Sequence, residues 1–258
     1  LDTLFKHGAD VNNIVNNMSP DNIVHNLDTL FKHGADVNNI VNNMSPDNIV
    51  HNLDTLFKHG ADVNNIVNNM RPDNIAHNLD TLLNHGADID VNELVSNLES
   101  SEIAHNLDTL LKHGADIDVK KLVSSLESHS IAYNLDTLLE HGADIDVNEL
   151  VSSLGTNDIV HNLGTLLKHG ADINNIINNI YPSNIAHNLD TLLKHGADIN
   201  NIVSNMYSDD AIHNLDTLLE HGADINLITK KMKESDIKDN IKLLRKYGAN
   251  LDAYQENN

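Results

Sequence analysis

The feature that most constrains this chain is a fixed short period. The head LDTLFKHGADVNN, at 27–39, recurs in variant form from Leu1, Leu27, Leu53, Leu79, Leu107, Leu135, Leu163, Leu189 and Leu215, and degenerates to IKLLRKYGANLD at 241–252. Successive starts lie 26 residues apart, except for three steps of 28 between Leu79 and Leu163. A unit this short cannot enclose a core and must bury its apolar face against its neighbours, so the chain is expected to be a stacked array. One elongated domain over residues 1–252 follows, with a frayed tail at 253–258.

Residues 36–61 serve as the type unit. Val37, Ile40, Val41 and Met44 fall on one helical stripe behind Asp36, which is placed to cap it. Ser45 and Pro46 read as the cap and first position of a second helix, whose apolar face is Ile49, Val50, Leu53, Leu56 and Phe57. Gly60 supplies a left-handed residue to end it. Two helices of about 8 and 14 residues thus fill the period. The expected fold is all-α, an α-hairpin solenoid of about nine hairpins. The 28-residue units add two residues after GAD, as in GADIDVNEL, and should have a longer connector between hairpins. The last hairpin, 225–248, gathers Lys230, Lys231, Lys233, Lys238, Lys242, Arg245 and Lys246, the polar outer face of a terminal cap. At the other end, 1–7 is half a helix, which implies that the array continues upstream.

Composition removes several functions. The formal charge is −22, from 38 acidic and 16 basic side chains, the wrong sign for a phosphate backbone, so no nucleic-acid partner is expected. No run approaches the roughly 18 apolar residues of a spanning helix, so no membrane partner is expected either. With no cysteine there is neither a disulfide framework nor thiolate chemistry, which fits a cytoplasmic setting.

LLKHGADIN at 192–200, with LLEHGADIN at 218–226 and LFKHGADVN at 30–38, resembles the end of the second helix and the following turn of the ankyrin repeat. The period is shorter than the family's, about 33, and its TPLHxA signature is missing. GAD runs almost directly into the next helix, as if the β-hairpin finger had been deleted. The chain is thus similar to a divergent, short-period ankyrin-like array, in the style of the Asn- and Ile-rich repeat proteins of giant DNA viruses. The resemblance implies a scaffold or adaptor that binds proteins and has no catalytic residues of its own, placed in host cytoplasm if viral. It also implies a modification, because Asn38, Asn64, Asn174 and Asn200 match the family's asparaginyl-hydroxylation pattern LxxxxxD[VI]N.

Histidine invites a chemical reading. One series runs from His7 through His33, His59 and His85 to His221, each before a glycine, and a second includes His25, His51, His77, His105, His161, His187 and His213. Equivalent positions in adjacent hairpins lie roughly 10 Å apart, too far to share an ion with ligands at about 2 Å. The expected role is to bond the last carbonyls of the helix, with Tyr133 and Tyr247 substituting at packing positions, and no metal or cofactor is expected. Asp54 and Lys58, at i and i+4, read as a surface ion pair. Such residues recur in nearly every unit, whereas an active site is singular; no enzyme is expected. The Asn-rich first helix, as at Asn38, Asn39, Asn42 and Asn43, reads as a solvated face rather than a polar ladder.

Framework positions repeat while recognition positions diverge. The turn between the two helices changes from SPDN through RPDN, ESSE, ESHS, GTND, YPSN and YSDD to KESD. Arg71, Glu99, His129, Thr156, Tyr181 and Tyr207 are therefore the candidate partner-binding residues, with the two tyrosines foremost. The expectation is a non-catalytic protein-protein interaction scaffold whose acidic body favours a basic partner surface. The alternative is a structural element that self-associates end to end.

Overall fold

The structure, a computed structural model, describes residues 1–251; the tail expected to fray, 253–258, lies outside the described residues. It is an all-α repeat solenoid, with 28 short helices and no strand among the described residues. The chain divides into two compact units, Leu1–Ser125 and a second beginning at Leu126. The repeat is the same in both.

Each period holds three helices rather than two. In the type repeat they are Val37–Asn43 (helix A), Pro46–His51 (B1) and Leu53–Lys58 (B2). Asn52 separates B1 from B2, with φ −120° and ψ 13°. Its amide turns to the Ile49 carbonyl three residues back, at 3.0 Å. Its side-chain carboxamide donates to the Asn48 carbonyl at 2.7 Å and satisfies the acceptor four residues back. The same side-chain bond recurs at Asn26, Asn78, Asn106, Asn134, Asn162, Asn188, Asn214 and Asn240, at 2.8–2.9 Å. The asparagine is a joint built into every repeat, and Asn162 is the buried polar side chain among the described residues.

The ends of the helices form as their chemistry dictates. Asp36 accepts from the amides of Asn38 and Asn39 at 2.8 and 3.2 Å, and Ser45 from Asn48 at 3.2 Å ahead of Pro46. Gly60 sits at φ +81°. It lets the Ala61 amide reach back to Leu56 and its own to Phe57, at 3.0 and 2.9 Å, so two terminal carbonyls are satisfied. In the longer units the cap moves by two residues: Asp90, not Asp88, accepts from Asn92 and Glu93, at 3.0 and 3.1 Å. Ile89 in the inserted connector packs on the core.

Ile40, Val41, Ile49, Leu53 and Leu56 are buried, whereas Val50 and Phe57 are half-buried at the rim. In the first unit the buried apolar residues fall into two clusters, Val15 to Ala87 and Ala76 to Ala115, and the change falls where the period lengthens. In the second unit one cluster runs from Ala132 to Leu251. The last hairpin is Ile225–Lys231, Glu234–Asp239 and Ile241–Lys246. Its Lys231 ammonium donates to the carbonyls of Ser204 and Met206 in the preceding repeat, both at 2.8 Å, and burial holds its pKa below the ordinary lysine value. Among the described residues, no helix is long and apolar enough to cross a membrane.

Candidate functional site

The divergent turn is a short extended segment between helix A and B1, and it ends at the N-cap of B1, exposed in every repeat but that of the half-buried Ser45. In register these caps are Ser19, Ser45, Arg71, Glu99, Glu127, Gly155, Tyr181, Tyr207 and Lys233. The backbone is extended at each, so a side chain there need not fill a helical position. Ser19 and Ser45 use theirs for capping. Arg71, Tyr181 and Tyr207 make no cap bond. Pro72 and Pro182 begin two of these helices and need no amide partner, and at Glu99 the cap amide is satisfied by the Glu102 carboxylate at 2.8 Å. Freed of structural duty, this position is where chemistry varies.

Four of the six candidate residues, Arg71, Glu99, Tyr181 and Tyr207, occupy this cap. Thr156 is one position later, behind Gly155, half-buried, and its hydroxyl donates to the Asn179 carbonyl of the following repeat at 3.2 Å. His129 is two positions past the cap Glu127, exposed, with Nδ1 3.4 Å from the Glu127 carboxylate. Arg71 is held by Asp47 at 2.7 Å and Asp73 at 3.4 Å. Arg71 and Glu99 belong to the row of the first unit, the others to that of the second. Tyr181 and Tyr207 stand 65% and 59% exposed, and with Tyr133 at 61% they are the exposed large hydrophobic side chains among the described residues of the second unit. Tyr133 ends a B1 helix and is no packing residue; its signal in the sequence was the replacement of a histidine by a larger side chain.

The histidines divide by series. His25, His51, His161, His187 and His213 place Nδ1 2.7–2.8 Å from the carbonyl four residues back, as expected of a helix end. The other series mostly turns to the preceding repeat. Where that repeat carries Phe31 or Phe57, the imidazoles of His59 and His85 stack on it, with centroids 3.9 Å apart. Where it carries Leu83 or Leu139, the imidazole bonds an aspartate instead. His113 and Lys112 both reach Asp80, at 2.5 and 2.8 Å, and His169 and Lys168 both reach Asp136. The imidazole and ammonium hold both carboxyls below the ordinary carboxylate range, with His113 the larger cause at Asp80 and Lys168 at Asp136. At Asp2, Asp80 and Asp136 the aspartate of LDTL thus bridges to the next repeat, and no Asp54–Lys58 pair forms. Among the described residues no three carboxylate or imidazole groups converge as a metal site would need.

The asparagines of helix A overturn their reading as a solvated face. Asn38 Oδ1 accepts from the Asp62 amide at 2.9 Å, and Asn12, Asn64, Asn92, Asn148 and Asn200 do the same for the aspartate 24 residues on, at 2.7–3.0 Å. Asn43 and Asn69 add bonds to Asn16 and Asn42, each at 3.2 Å. These bonds form a ladder along the stack within each unit. They satisfy the aspartate amide of six GAD turns, and three of the four hydroxylation candidates, Asn38, Asn64 and Asn200, are engaged in these amide bonds, while the fourth, Asn174, accepts from the Asn201 carboxamide at 2.9 Å.

No protein-family model matches the chain, and no curated protein matches it.

Proposed function

We propose that the chain is a non-catalytic protein-binding scaffold that presents a variable edge of B1 caps on a constant helical frame. The observation that carries this reading is the pairing of Tyr181 and Tyr207 at one position of consecutive repeats, 65% and 59% exposed and free of capping duty. Exposed tyrosines offer large contact area at little entropic cost, and the acidic body steers basic partners. Ankyrin-like descent, suggested by the LLKHGADIN strings, and a cytoplasmic setting, that of a host if the chain is viral, go with this reading. The test is capture from a cell lysate at low and high salt, with Tyr181→Ala/Tyr207→Ala alongside. A discrete protein retained at high salt and lost in the variant supports the scaffold. Equal capture of salt-labile basic proteins by both versions overturns it in favour of the structural alternative, end-to-end self-association. In that case sedimentation velocity shows growth with concentration.

A further inference from the structure

The two residues inserted in the longer units uncover what is core elsewhere. Residues 74–77 and 184–187 carry the same tetrapeptide, NIAH. Ile185 is fully buried beside a half-buried Ala186, whereas Ile75 is half-buried beside a buried Ala76. Local sequence cannot make that difference; what differs is the connector that follows, GADIN in one case and GADIDVN in the other. Helix A shows the same change: Val15, Val41, Ile177 and Val203 are at most 1% exposed, whereas Val67 and Val95 are half-buried. The next repeat no longer covers this face, and a cleft opens at each site. The first, of about 300 Å³, is floored by Val67, Ile75, Ile89 and Leu94. The second, of about 490 Å³, repeats it one period on, with Val95 and Ile103 in place of Val67 and Ile75. Both lie in the first unit. The shift of the helix cap to Asp90 and Asp118 also releases Asp88 and Asp116, whose carboxylates line the two clefts, exposed and with no hydrogen bond or ion pair among the described residues.

We propose that the two clefts together receive one face of a basic amphipathic helix on a partner protein, with a large aliphatic side chain in each. Their floors are positions that elsewhere in the array bury against a neighbouring repeat, so what fits them is again aliphatic. The walls carry Asp88, Asp90, Glu93, Asp116 and Asp118 against the ammonium of Lys121, so the residues flanking those side chains are Lys or Arg. A second copy of this chain, at −22, has the wrong charge to be the occupant. Spacing selects the helix. Adjacent repeats stack roughly 10 Å apart. Along a helix, positions i and i+7 share a face about 10.5 Å apart; along a strand, the same-face positions i+2 and i+4 fall at about 6.6 and 13 Å and miss one cleft or the other. The clefts belong to the first unit and the tyrosine edge to the second, so this surface goes beyond that edge and does not depend on it.

The test uses the full chain with ¹³C-labelled isoleucine methyls, the signals of Ile75, Ile89, Ile103 and Ile117 being assigned by their loss in the four single Ile→Val variants. The probe is a lysine/alanine peptide of about 18 residues, long enough to hold a helix in water, with leucine at i and i+7. The expected result is saturable movement of those four signals. Binding should be about tenfold weaker or worse when the leucines stand at i and i+9, on opposite faces, or are replaced by alanine, and should vanish when glutamate replaces lysine. Deleting Ile89 and Asp90, which returns the connector to GADVN, should close the first cleft and silence Ile75. Asp88→Asn/Asp116→Asn, at exposed carboxylates without a structural bond, should weaken binding about fivefold with an unchanged melting temperature, and decides the matter should the deletion fold poorly. No movement with any peptide, equal binding of the i, i+7 and i, i+9 peptides, tighter binding of a proline-rich peptide with leucine at i and i+3, or a response indifferent to either change in the chain would each overturn the proposal. Failure here leaves capture by the tyrosine edge unaffected, and failure of that capture leaves this titration unaffected.

Discussion

At the scale of single residues, the repeat is held by positions whose side chains replace backbone bonds. Asn162→Ala removes the carboxamide that satisfies the Asp158 carbonyl at 2.9 Å in a buried joint, and should lower unfolding free energy by about 1–2 kcal/mol in urea titration. An unchanged midpoint would show that backbone alone sets the joint. Two glycines should respond with opposite signs, because a Cβ meets nothing within 4 Å at either. Gly170, at φ +86°, forces an alanine into the left-handed region, at a cost of about 1–2 kcal/mol. Gly164, inside Leu163–Lys168, should gain about 0.5–1 kcal/mol as alanine. Asp80 adds a pH dependence. Its folded carboxyl is depressed by His113 and Lys112, so its contribution is present above the unfolded pKa and is lost as pH falls through the lower folded value. The stability difference between the wild type and Asp80→Asn should therefore shrink below about pH 4 and vanish in stronger acid; a difference that persists there would deny the carboxylate its role.

At the scale of elements, burial separates framework from surface. Leu110 is fully buried on a B2 helix, and Leu110→Ala should cost about 2–5 kcal/mol. Lys112, two residues on and 63% exposed in its side chain, should cost under about 1 kcal/mol. Equal losses by urea denaturation would mean that the B2 face is misassigned. The caps were legible in the sequence because Asp36, Ser45–Pro46 and Gly60 act on neighbours a few residues away. The B1–B2 joint was hidden: Ile49, Leu53 and Leu56 keep helical spacing straight across Asn52, so periodicity carries no mark of the break. The available signal was the asparagine itself, unchanged even at Asn240 where its surroundings diverge. The ladder was equally hidden, because Asn38 and Asp62 meet only after stacking. Its separation of 24 residues is the same for Asn92 and Asp116, because the inserted pair follows the receiving aspartate. The cap row was found, but the turn strings alone did not align it, so His129 and Thr156 stood in for Glu127 and Gly155.

At the scale of the whole molecule, charge is the dominant property. The formal value of −22 becomes −5 if all 17 histidines are protonated. Self-repulsion at pH 7.5 should be screened by salt, so the melting temperature should rise with sodium chloride, and rise less at pH 5.5. A fall with salt at both pH values would mean that bridges such as Asp136 to Lys168 outweigh the repulsion. The histidines that cap B1 have another consequence. By donating Nδ1–H to a helix carbonyl, His25, His51, His161, His187 and His213 are fixed as one tautomer, and each turns a bare Nε2 lone pair to solvent from an exposed position. The chain thus carries its own affinity handle: without any appended tag, it should be retained on immobilised nickel and released by imidazole.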